Sequence, residues 1–253
     1  MRPVRHGAYR GFQFEPFMEQ PGLRHVFGAR APHDLGNLAY SGGRDRAEAW
    51  KVRSAWSEFL GIQAQDWVVG GQVHSAKVRV VGAAERGRGA QAPEDVLPEC
   101  DGLITQERGL PLYVAVADCS GVLLHGPGIL GVVHGGWRGL AAGILEEAVT
   151  RMESLGCPVE SLQAGVAPCM AAASYEVGPE VADCAPEQAR FRGVGDRWQV
   201  DISVWAANCL RQAGIPEEAI ATSGIDTGCH EGCFSHRRQG PGAGRNGLIA
   251  VLS

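Results

Sequence analysis

The chain alternates between stretches with apolar residues at helical spacing and shorter runs that are mostly apolar. Residues 45–60 (DRAEAWKVRSAWSEFL) have the helical spacing and end at Gly61, a residue type that favours helix C-termini. Residues 140–155 (LAAGILEEAVTRMESL) repeat the spacing and also stop at a glycine. We therefore predict helices over both stretches, and two less regular helices over 178–189 and 203–213.

Short β-type runs lie between these helices. Residues 67–81 predict a strand, a turn with His74 near it, and a second strand. Gly-Pro-Gly at 126–128 marks a turn between two further runs. The remaining predicted strands cover 112–117, 122–125, 129–134, 162–166 and a short closing strand at 248–252.

This order of elements indicates an α/β (α+β) fold with mixed β-sheet layers flanked by helices. The sequence contains no internal repeat, low-complexity tract or linker, so we predict one domain over 1–253, with residues 1–20 loosely ordered. The stretch 83–98 is rich in glycine, proline and charge, which predicts a surface loop. Gly42-Gly43 is not interpreted as a phosphate loop, because no Lys-Ser or Lys-Thr follows it.

Composition and charge limit the partners and the compartment that we expect for the protein. The net charge of −5 gives no reason to expect nucleic acid or an anionic membrane as a partner. The chain lacks a run of about 18 apolar residues, so we expect no membrane span. Its basic start, MRPVRH, has no apolar stretch behind it, and its eight cysteines are scattered. We expect reduced thiols in a cytoplasmic protein that is a monomer or weak homodimer.

Three short segments carry residues that suit a metal ion. His74 ends Gln-Val-His, Cys119 ends Ala-Asp-Cys, and His134 begins His-Gly-Gly-Trp-Arg-Gly. Each lies at the end of a predicted strand, and strand ends are where α/β proteins tend to place their sites. Two imidazoles and one thiolate suit a Zn²⁺ ion that keeps a fourth position open. The ligand spacing is unlike compact zinc motifs, so the spacing alone is weak evidence.

The chain resembles the YfiH-type family, formerly called laccase-domain or multicopper polyphenol oxidase proteins and now described as purine nucleoside phosphorylases. The resemblance covers the chain from about residue 20 to its end. The motifs that carry it are QVH at 72–74, ADC at 117–119, HGGWRG at 134–139, APCMAAASYEVGPEV at 167–181, FSHRR at 234–238 and Gly-Arg at 244–245.

The resemblance implies a YfiH-like catalytic domain in which His74, Cys119 and His134 align with the family's zinc ligands. The implied activity is phosphorolysis of adenosine, inosine and S-methyl-5'-thioadenosine, with adenosine deamination also ascribed to the family. The implied partners are thus a small purine nucleoside and phosphate. Phosphorolysis needs an anion pocket below the ribose C1', whereas deamination needs a water that attacks C6 of adenosine.

Further roles are hypotheses based on residue type and motif. Arg138, close to a predicted helix N-terminus, is the first candidate for phosphate, because guanidinium forks and free N–H groups both suit an anion. Arg237 and Arg238 are the second candidates. Asp118 is expected to orient a ligand imidazole or to act as acid/base. The residues expected to bind substrate are Arg30, Asn37, Gln72, His236 and Arg238.

The chain departs from the family pattern near its N-terminus. The family usually carries Thr-Arg-x-Gly-Gly-Val-Ser, whereas this chain has Ala29-Arg30-Ala31-Pro32-His33-Asp34. Arg30 is kept, but the paired glycines are gone. This departure leaves the predicted zinc ligands untouched and points to a shifted substrate preference.

Three other functions stay open on the residues alone. A copper-dependent polyphenol oxidase (laccase-like) is disfavoured because the chain has no His-x-His pair, although adventitious Cu²⁺ can bind a Cys/His site. A cysteine hydrolase on a cell-wall precursor would use Cys119 as nucleophile and His74 or His134 as base. A non-enzymatic zinc-binding module would have the metal site but no turnover.

Overall fold

The computed structural model describes residues 1–40 and 45–253, so Gly42-Gly43 lies outside the described residues. The strands, in chain order, are β1 (Arg2–His6), β2 (Tyr9–Gln13), β3 (Leu23–Ala29), β4 (Val68–Val69), β5 (Val78–Val80), β6 (Gly102–Thr105), β7 (Leu112–Val116), β8 (Ser120–Gly126), β9 (Ile129–Gly135), β10 (Gln163–Val166), β11 (Glu176–Val177), β12 (Arg190–Arg192), β13 (Trp198–Val200), β14 (Ile220–Thr222) and β15 (Asn246–Leu252). The helices are α1 (Glu15–Met18), α2 (Arg46–Leu60), α3 (Trp137–Ala141), α4 (Ile144–Ser154), α5 (Pro179–Ala182), α6 (Ile202–Gln212) and α7 (His236–Gln239).

The strands form two six-stranded mixed sheets and a small three-stranded sheet. The first sheet has the order β1-β2-β3-β15-β7-β4, and the second has the order β14-β10-β8-β9-β6-β5. The small sheet has the order β11-β13-β12. This architecture confirms the predicted α/β class with mixed sheet layers flanked by helices.

The two large sheets pack face to face, and helices cover their outer faces. Side chains alternate along the strands, so that in β8 Leu123 faces the core between the sheets while Val122 and Leu124 face the helices. α4 and α6 pack on that outer face of the second sheet. α2 covers the first sheet through Val52 and Trp56, which are fully buried. Strands buried on both faces explain why their sequences are almost continuously apolar.

The predicted helices are confirmed where their ends have capping residues. Asp45 accepts hydrogen bonds from the first amides of α2, and Gly61 adopts φ +63° at its C-terminus. The helix predicted over 140–155 is split, because Gly143 adopts φ +80° between α3 and α4. The helix predicted over 203–213 is confirmed as α6. The prediction over 178–189 is wrong beyond α5, since Pro186 removes an amide donor and disfavours helix before it.

The strands predicted after residue 110 are confirmed, and the two predicted within residues 67–81 are present as β4 and β5. β4 and β5 do not pair with each other, because β4 pairs with β7 in the first sheet while β5 pairs with β6 in the second. The closing strand is a central one, paired on both sides by β3 and β7.

The N-terminal segment was expected to be loosely ordered, but β1 and β2 form an antiparallel pair that continues onto β3. Phe14 and Phe17, each about 1% exposed, anchor this segment in the core between the sheets. Ordering of residues 2–18 therefore follows from burial of two aromatic rings.

Within the described ranges all eight cysteines are free thiols. No helix in residues 1–40 or 45–253 has both the length and the apolar composition needed to cross a bilayer.

Candidate metal centre

Strand pairing brings two of the predicted metal ligands together. β8 and β9 are antiparallel neighbours, with Ser120 opposite Gly135 and Gly121 opposite His134. Cys119 directly precedes β8, so this register places it beside His134 near the end of β9. His74 comes from the crossover between the two sheets, in a left-handed conformation with φ +61°. Non-glycine residues rarely adopt this conformation, which is concentrated at functional sites.

The three side chains converge as the sequence predicts. One ligand atom from each of His74, Cys119 and His134 lies within 4.8 Å of the other two. Nε2 of His74 is 3.9 Å from Sγ of Cys119. In a tetrahedral zinc site, sulfur and nitrogen ligands stand roughly 3.3–3.6 Å apart, which follows from the usual Zn–S and Zn–N lengths. The cluster thus fits a metal ion after small side-chain adjustments.

Gly136 makes room for this cluster. A Cβ at this position would lie 2.8 Å from Cδ2 of His74 and 3.1 Å from Sγ of Cys119. Gly136 itself has an ordinary extended backbone, with φ −78° and ψ 160°. The need for glycine is therefore steric, because any side chain here would intrude between two of the ligands.

Asp101 holds two of the three ligands in place and was not predicted. Its Oδ1 accepts hydrogen bonds from Nδ1 of His134 at 2.9 Å and from the His74 amide at 3.0 Å. Its Oδ2 accepts from the Val73 amide at 3.2 Å, and from the Ser75 amide and hydroxyl at 2.8 Å each. A carboxylate can only accept here, so Nδ1 of His134 is the protonated nitrogen and Nε2 is free for a metal.

The titrating groups of the cluster are strongly coupled. Burial alone would raise the pKa of the Cys119 thiol, but the His134 and His74 imidazoles outweigh burial and lower that pKa. Burial alone would lower the pKa of His134, but Cys119 and Asp101 raise it above its usual range. Burial opposes ionisation of Asp101 as well, yet hydrogen bonds from His134 and Ser75 lower its pKa. Cys119 is thus favoured as a thiolate, the form that binds metal.

Asp118 was predicted to orient a ligand imidazole or to act as acid/base, and in the structure it accepts hydrogen bonds from two later segments. Its Oδ1 accepts a hydrogen bond from the Thr227 hydroxyl at 2.8 Å, and its Oδ2 accepts from the Arg237 amide at 2.7 Å. Asp118 also has a left-handed backbone conformation, with φ +88°. It thereby connects the Cys119 loop to two later segments, while Asp101 orients the His134 imidazole.

A cavity of about 850 Å³, called the metal cavity below, opens beside the cluster. Its volume is within the 300–1,000 Å³ typical of ligand pockets. His74, Cys119 and His134 all line it. Its other lining residues include aromatic side chains, guanidinium groups and carboxylates: Tyr40, Tyr113, Tyr175, Arg53, Arg237, Arg245, Glu99 and Asp118.

Besides Asp118, three of the predicted site residues line this cavity without being predicted metal ligands. Gln72 pairs with the backbone of Ala115, donating to its oxygen at 2.8 Å and accepting from its amide at 2.9 Å. His236 and Arg237, both exposed, begin α7 at the cavity wall. Arg237 donates to the Glu176 carbonyl at 2.9 Å and lies 5.1 Å from the Tyr175 ring centroid.

Arg138 lies in a neighbouring cavity of about 420 Å³. It is exposed within the first turn of the short helix α3, with its guanidinium carbon 4.3 Å from the Trp137 ring centroid. Arg237 and Tyr175 line both cavities and form the boundary between them. The predicted phosphate candidates Arg138 and Arg237 are thus near each other, but only Arg237 lines the metal cavity.

The other three predicted substrate residues do not line the metal cavity. Arg30 donates to Asp34 Oδ1 at 2.6 Å and to the Glu231 carbonyl at 2.9 Å. Arg238 donates to the Cys233 carbonyl at 2.7 Å. These arginines hold surface loops together.

Asn37 acts through its neighbour rather than by contact with the cavity. Its side-chain oxygen accepts from the Arg245 amide at 2.9 Å, and its amide nitrogen donates to the Ala39 carbonyl at 2.9 Å. Asn37 therefore positions Arg245, a cavity residue that the motif at 244–245 contains but to which no role was assigned.

Comparisons with known proteins give a family match and several similar proteins. The model of a family described as "Multi-copper polyphenol oxidoreductase laccase" matches residues 24–253. The chain is 30% identical to purine nucleoside phosphorylase YlmD of Geobacillus stearothermophilus, over 88% of this chain and 85% of that protein. It is 32% identical to adenosine deaminase RL5 of an unknown prokaryotic organism, over 83% and 87% of the two chains.

Solved structures show the same fold. The crystal structure of YlmD from Geobacillus stearothermophilus matches with a TM-score of 0.91 and 26% identity, covering 100% of this chain and 98% of that one. The crystal structure of a hypothetical protein YfiH from Bacillus licheniformis matches with a TM-score of 0.86 and 25% identity, covering 95% and 100%. These matches confirm the YfiH-like fold.

Proposed function

Because the chain belongs to the multi-copper polyphenol oxidoreductase laccase family and is similar to proteins named purine nucleoside phosphorylase, we propose that it is a zinc-dependent purine nucleoside phosphorylase. Its substrates would be adenosine, inosine and S-methyl-5'-thioadenosine. The observation that carries the proposal is the cluster of His74, Cys119 and His134, which opens into a cavity of about 850 Å³.

The donor set suits zinc in a catalytic rather than a structural role. One thiolate and two imidazoles leave a fourth position for a ligand, whereas structural zinc sites usually have four protein donors. When bound, zinc would supply Lewis acidity at the cavity wall. Copper also binds sulfur and imidazole tightly, so adventitious Cu²⁺ is expected to occupy the same ligands when it is supplied.

The cavity residues suit a polar ligand with a flat ring. Tyr175, which is half-buried at the cavity wall, offers an aromatic surface against which a purine can stack. We propose that Gln72 and His236 lie against the nucleoside and that Asp118 fixes the backbone of Arg237 at the cavity wall. Arg138 stays a predicted phosphate ligand, now at the neighbouring cavity. The cytoplasmic location and the monomer or weak homodimer also stay predictions.

In phosphorolysis, the bond between ribose C1' and the purine nitrogen breaks while a phosphate oxygen bonds to C1'. The departing base takes up a proton, and ribose 1-phosphate is released. The chain's own contribution would be to bind the nucleoside, to place the oxyanion near C1' and to exclude bulk water. Asp101 contributes indirectly by holding His74 and His134 in register.

Product analysis of the zinc-loaded protein tests this proposal. Adenosine, inosine and S-methyl-5'-thioadenosine are incubated with and without phosphate, and products are separated by chromatography. We expect free base and a sugar 1-phosphate only when phosphate is present. Cys119→Ala should lose both bound zinc and cleavage, whereas Cys184→Ala, which changes an exposed free thiol, should keep both. Full cleavage by metal-free Cys119→Ala would refute the proposal.

Adenosine deamination is the second candidate, because a relative 32% identical is named adenosine deaminase. It predicts conversion of adenosine to inosine without any need for phosphate. The same chromatograms therefore separate the two reactions.

The remaining alternatives are tested on the purified protein. A polyphenol oxidase predicts copper in protein prepared without added copper and oxidation of phenols. A cysteine hydrolase predicts rapid iodoacetamide labelling of Cys119 as purified, whereas bound zinc would mask that thiolate. A non-enzymatic zinc-binding module predicts bound zinc without turnover of any nucleoside.

A further inference from the structure

The metal cavity contains a buried cation that the proposed chemistry has not used. Arg53 is only 2% exposed and lies on α2, with its guanidinium carbon 4.0 Å from the Tyr40 ring centroid and 5.0 Å from that of Tyr113. It donates to the carbonyl oxygens of Leu38 at 2.9 Å and of Ala90 at 2.8 Å. These contacts fix its position but supply no negative charge.

Arg245 is a second such cation in the same cavity. It is half-buried, and its Nη1 donates to the carbonyl oxygens of Ala243 at 2.7 Å and Gly244 at 3.1 Å. Burial lowers the pKa of Arg245, and Tyr113, Cys119 and Asp118 act in the opposite direction. Arg245 therefore lies within electrostatic reach of both the Cys119 loop and Tyr113, which contacts Arg53.

Neither guanidinium has a carboxylate partner within 4.0 Å in the part of the chain that the structure describes. Two acidic residues line the cavity, and both are engaged elsewhere. Asp118 accepts from Thr227 and Arg237 with its two oxygens, and exposed Glu99 pairs with Lys77. Unneutralised cations inside a protein are costly unless they meet an anion.

We infer that Arg245, backed by Arg53, binds a tetrahedral oxyanion inside the metal cavity, as inorganic phosphate or as the phosphate group of a nucleotide. Guanidinium forks match the oxygen spacing of phosphate, and Asn37 holds the Arg245 backbone in place for this contact. The role of this anion as the attacking co-substrate rests on the proposed function. The presence of the anion site is independent of the proposed function.

This location differs from the one predicted from the sequence. Arg138 was the first candidate for phosphate, but its exposed guanidinium lies over Trp137 in the neighbouring cavity. Arg192 provides the matched control for Arg245. Its exposed guanidinium lies over the Trp198 ring, has no carboxylate partner within the described residues and lines neither of the two cavities.

The test is direct binding of inorganic phosphate to the zinc-loaded full chain, measured by titration calorimetry without nucleoside. We expect Arg245→Gln to weaken phosphate binding roughly tenfold or more, as for loss of a charged hydrogen-bond partner, and the control Arg192→Gln to leave it within about twofold. Wild-type affinity in Arg245→Gln, or loss of binding in Arg192→Gln, overturns the inference. Circular dichroism and zinc content of each variant show whether it is folded.

Two further arms complete the test. Adenosine 5'-monophosphate is titrated in the same way, and tighter binding than phosphate, lost in Arg245→Gln, assigns the site to a nucleotide phosphate. Arg53→Lys keeps the charge but not the fork, and we expect weaker phosphate binding with the fold retained. Arg53→Lys that binds phosphate as the wild type does would contradict the part assigned to Arg53.

Two outcomes distinguish a missing anion site from a missing phosphorylase activity. Arg245-dependent phosphate binding without nucleoside cleavage contradicts only the phosphorylase proposal. Phosphate-dependent cleavage with an unchanged phosphate KM in Arg245→Gln contradicts only the anion site.

Discussion

Oδ1 of Asp101 lies 2.9 Å from Nδ1 of His134, and the same oxygen accepts the backbone amide of His74 at 3.0 Å. A single buried carboxylate atom therefore sets the ring orientation of one proposed metal ligand and the backbone position of another. Asp101 is fully buried, which shields these contacts from solvent. The geometry of the candidate metal centre therefore depends on Asp101 as well as on the proposed ligands.

We predict that Asp101→Asn weakens zinc binding about 10–100-fold, the usual cost of losing an outer-shell partner. The amide cannot accept from five donors as the carboxylate does, and its NH₂ group would face other donors. Zinc affinity is measured by competition with a chromophoric chelator. The control is Asp196→Asn, an exposed residue whose change should leave the affinity as it was. Equal affinity in both variants would show that Asp101 has no part in the site.

Gly136→Ala should lose zinc while the protein stays folded. The added Cβ would lie 2.8 Å from a His74 ring carbon and 3.1 Å from Sγ of Cys119, closer than atoms can approach without a shift. Metal analysis and circular dichroism of the purified variant measure the two properties. Gly82→Ala is the matched control, because no atom lies within 4 Å of its new Cβ. A full complement of zinc in Gly136→Ala would contradict the steric argument.

Asp118→Ala should lower kcat/KM by roughly a hundredfold, as expected when the positioning of substrate contacts is lost, and should leave the zinc content unchanged. The reason is that Asp118 holds the Arg237 amide and the Thr227 hydroxyl, whereas Asp101 holds the imidazole. Steady-state kinetics and metal analysis are run on the same preparation. Loss of zinc in Asp118→Ala would contradict this expectation and support the ligand-orienting role predicted for Asp118 from the sequence.

His25 should make the protein less stable in mild acid. Burial, with a smaller effect of nearby His125, lowers its pKa from 6.5 to about 4, and its Nε2 accepts the Phe14 amide at 2.9 Å. Between these two pH values the unfolded chain binds the additional proton, so the free energy of unfolding falls as the pH falls. The stabilisation by uncharged His25 is complete above about pH 6.5. As the pH falls to about 4 this stabilisation is lost, which lowers the free energy of unfolding by roughly 3 kcal/mol.

Denaturant unfolding at a series of pH values measures this effect. His25→Gln should have lower stability at neutral pH but a flatter pH dependence between about 4 and 6.5. His33→Asn, at an exposed position, should keep the wild-type slope. An unchanged slope in His25→Gln would assign the acid sensitivity to other groups.

The elements predicted correctly are those whose signals are local. α2 has apolar periodicity, an aspartate cap and a terminal glycine, all within residues 45–61. The strands β7, β8 and β9 are apolar because both faces of their sheets are buried. β1 and β2 were missed because RPVRH and YRGFQ have polar exposed faces, and their place in the sheet comes from the pairing of β2 with β3.

The candidate site was predicted only in part, because its residues come from segments that lie far apart in the sequence. His74, Cys119 and His134 are 45 and 15 residues apart in sequence, so motif resemblance indicated them rather than their spacing. Asp101 was missed because its partners belong to other segments, although a carboxylate directly before an apolar run was a usable signal. Arg53 lies in a regular helix, and only packing shows that its charge faces the cavity.

X-ray absorption at the zinc edge of the zinc-loaded protein identifies the atoms that bind the metal. One sulfur at about 2.3 Å and two imidazole nitrogens at about 2.0–2.1 Å, with one further light atom, is the predicted shell. Cys119→Ala should lose its zinc, and any zinc that it retains should have no sulfur neighbour. A wild-type shell without sulfur, or a sulfur that persists in Cys119→Ala, would contradict a metal held by His74, Cys119 and His134.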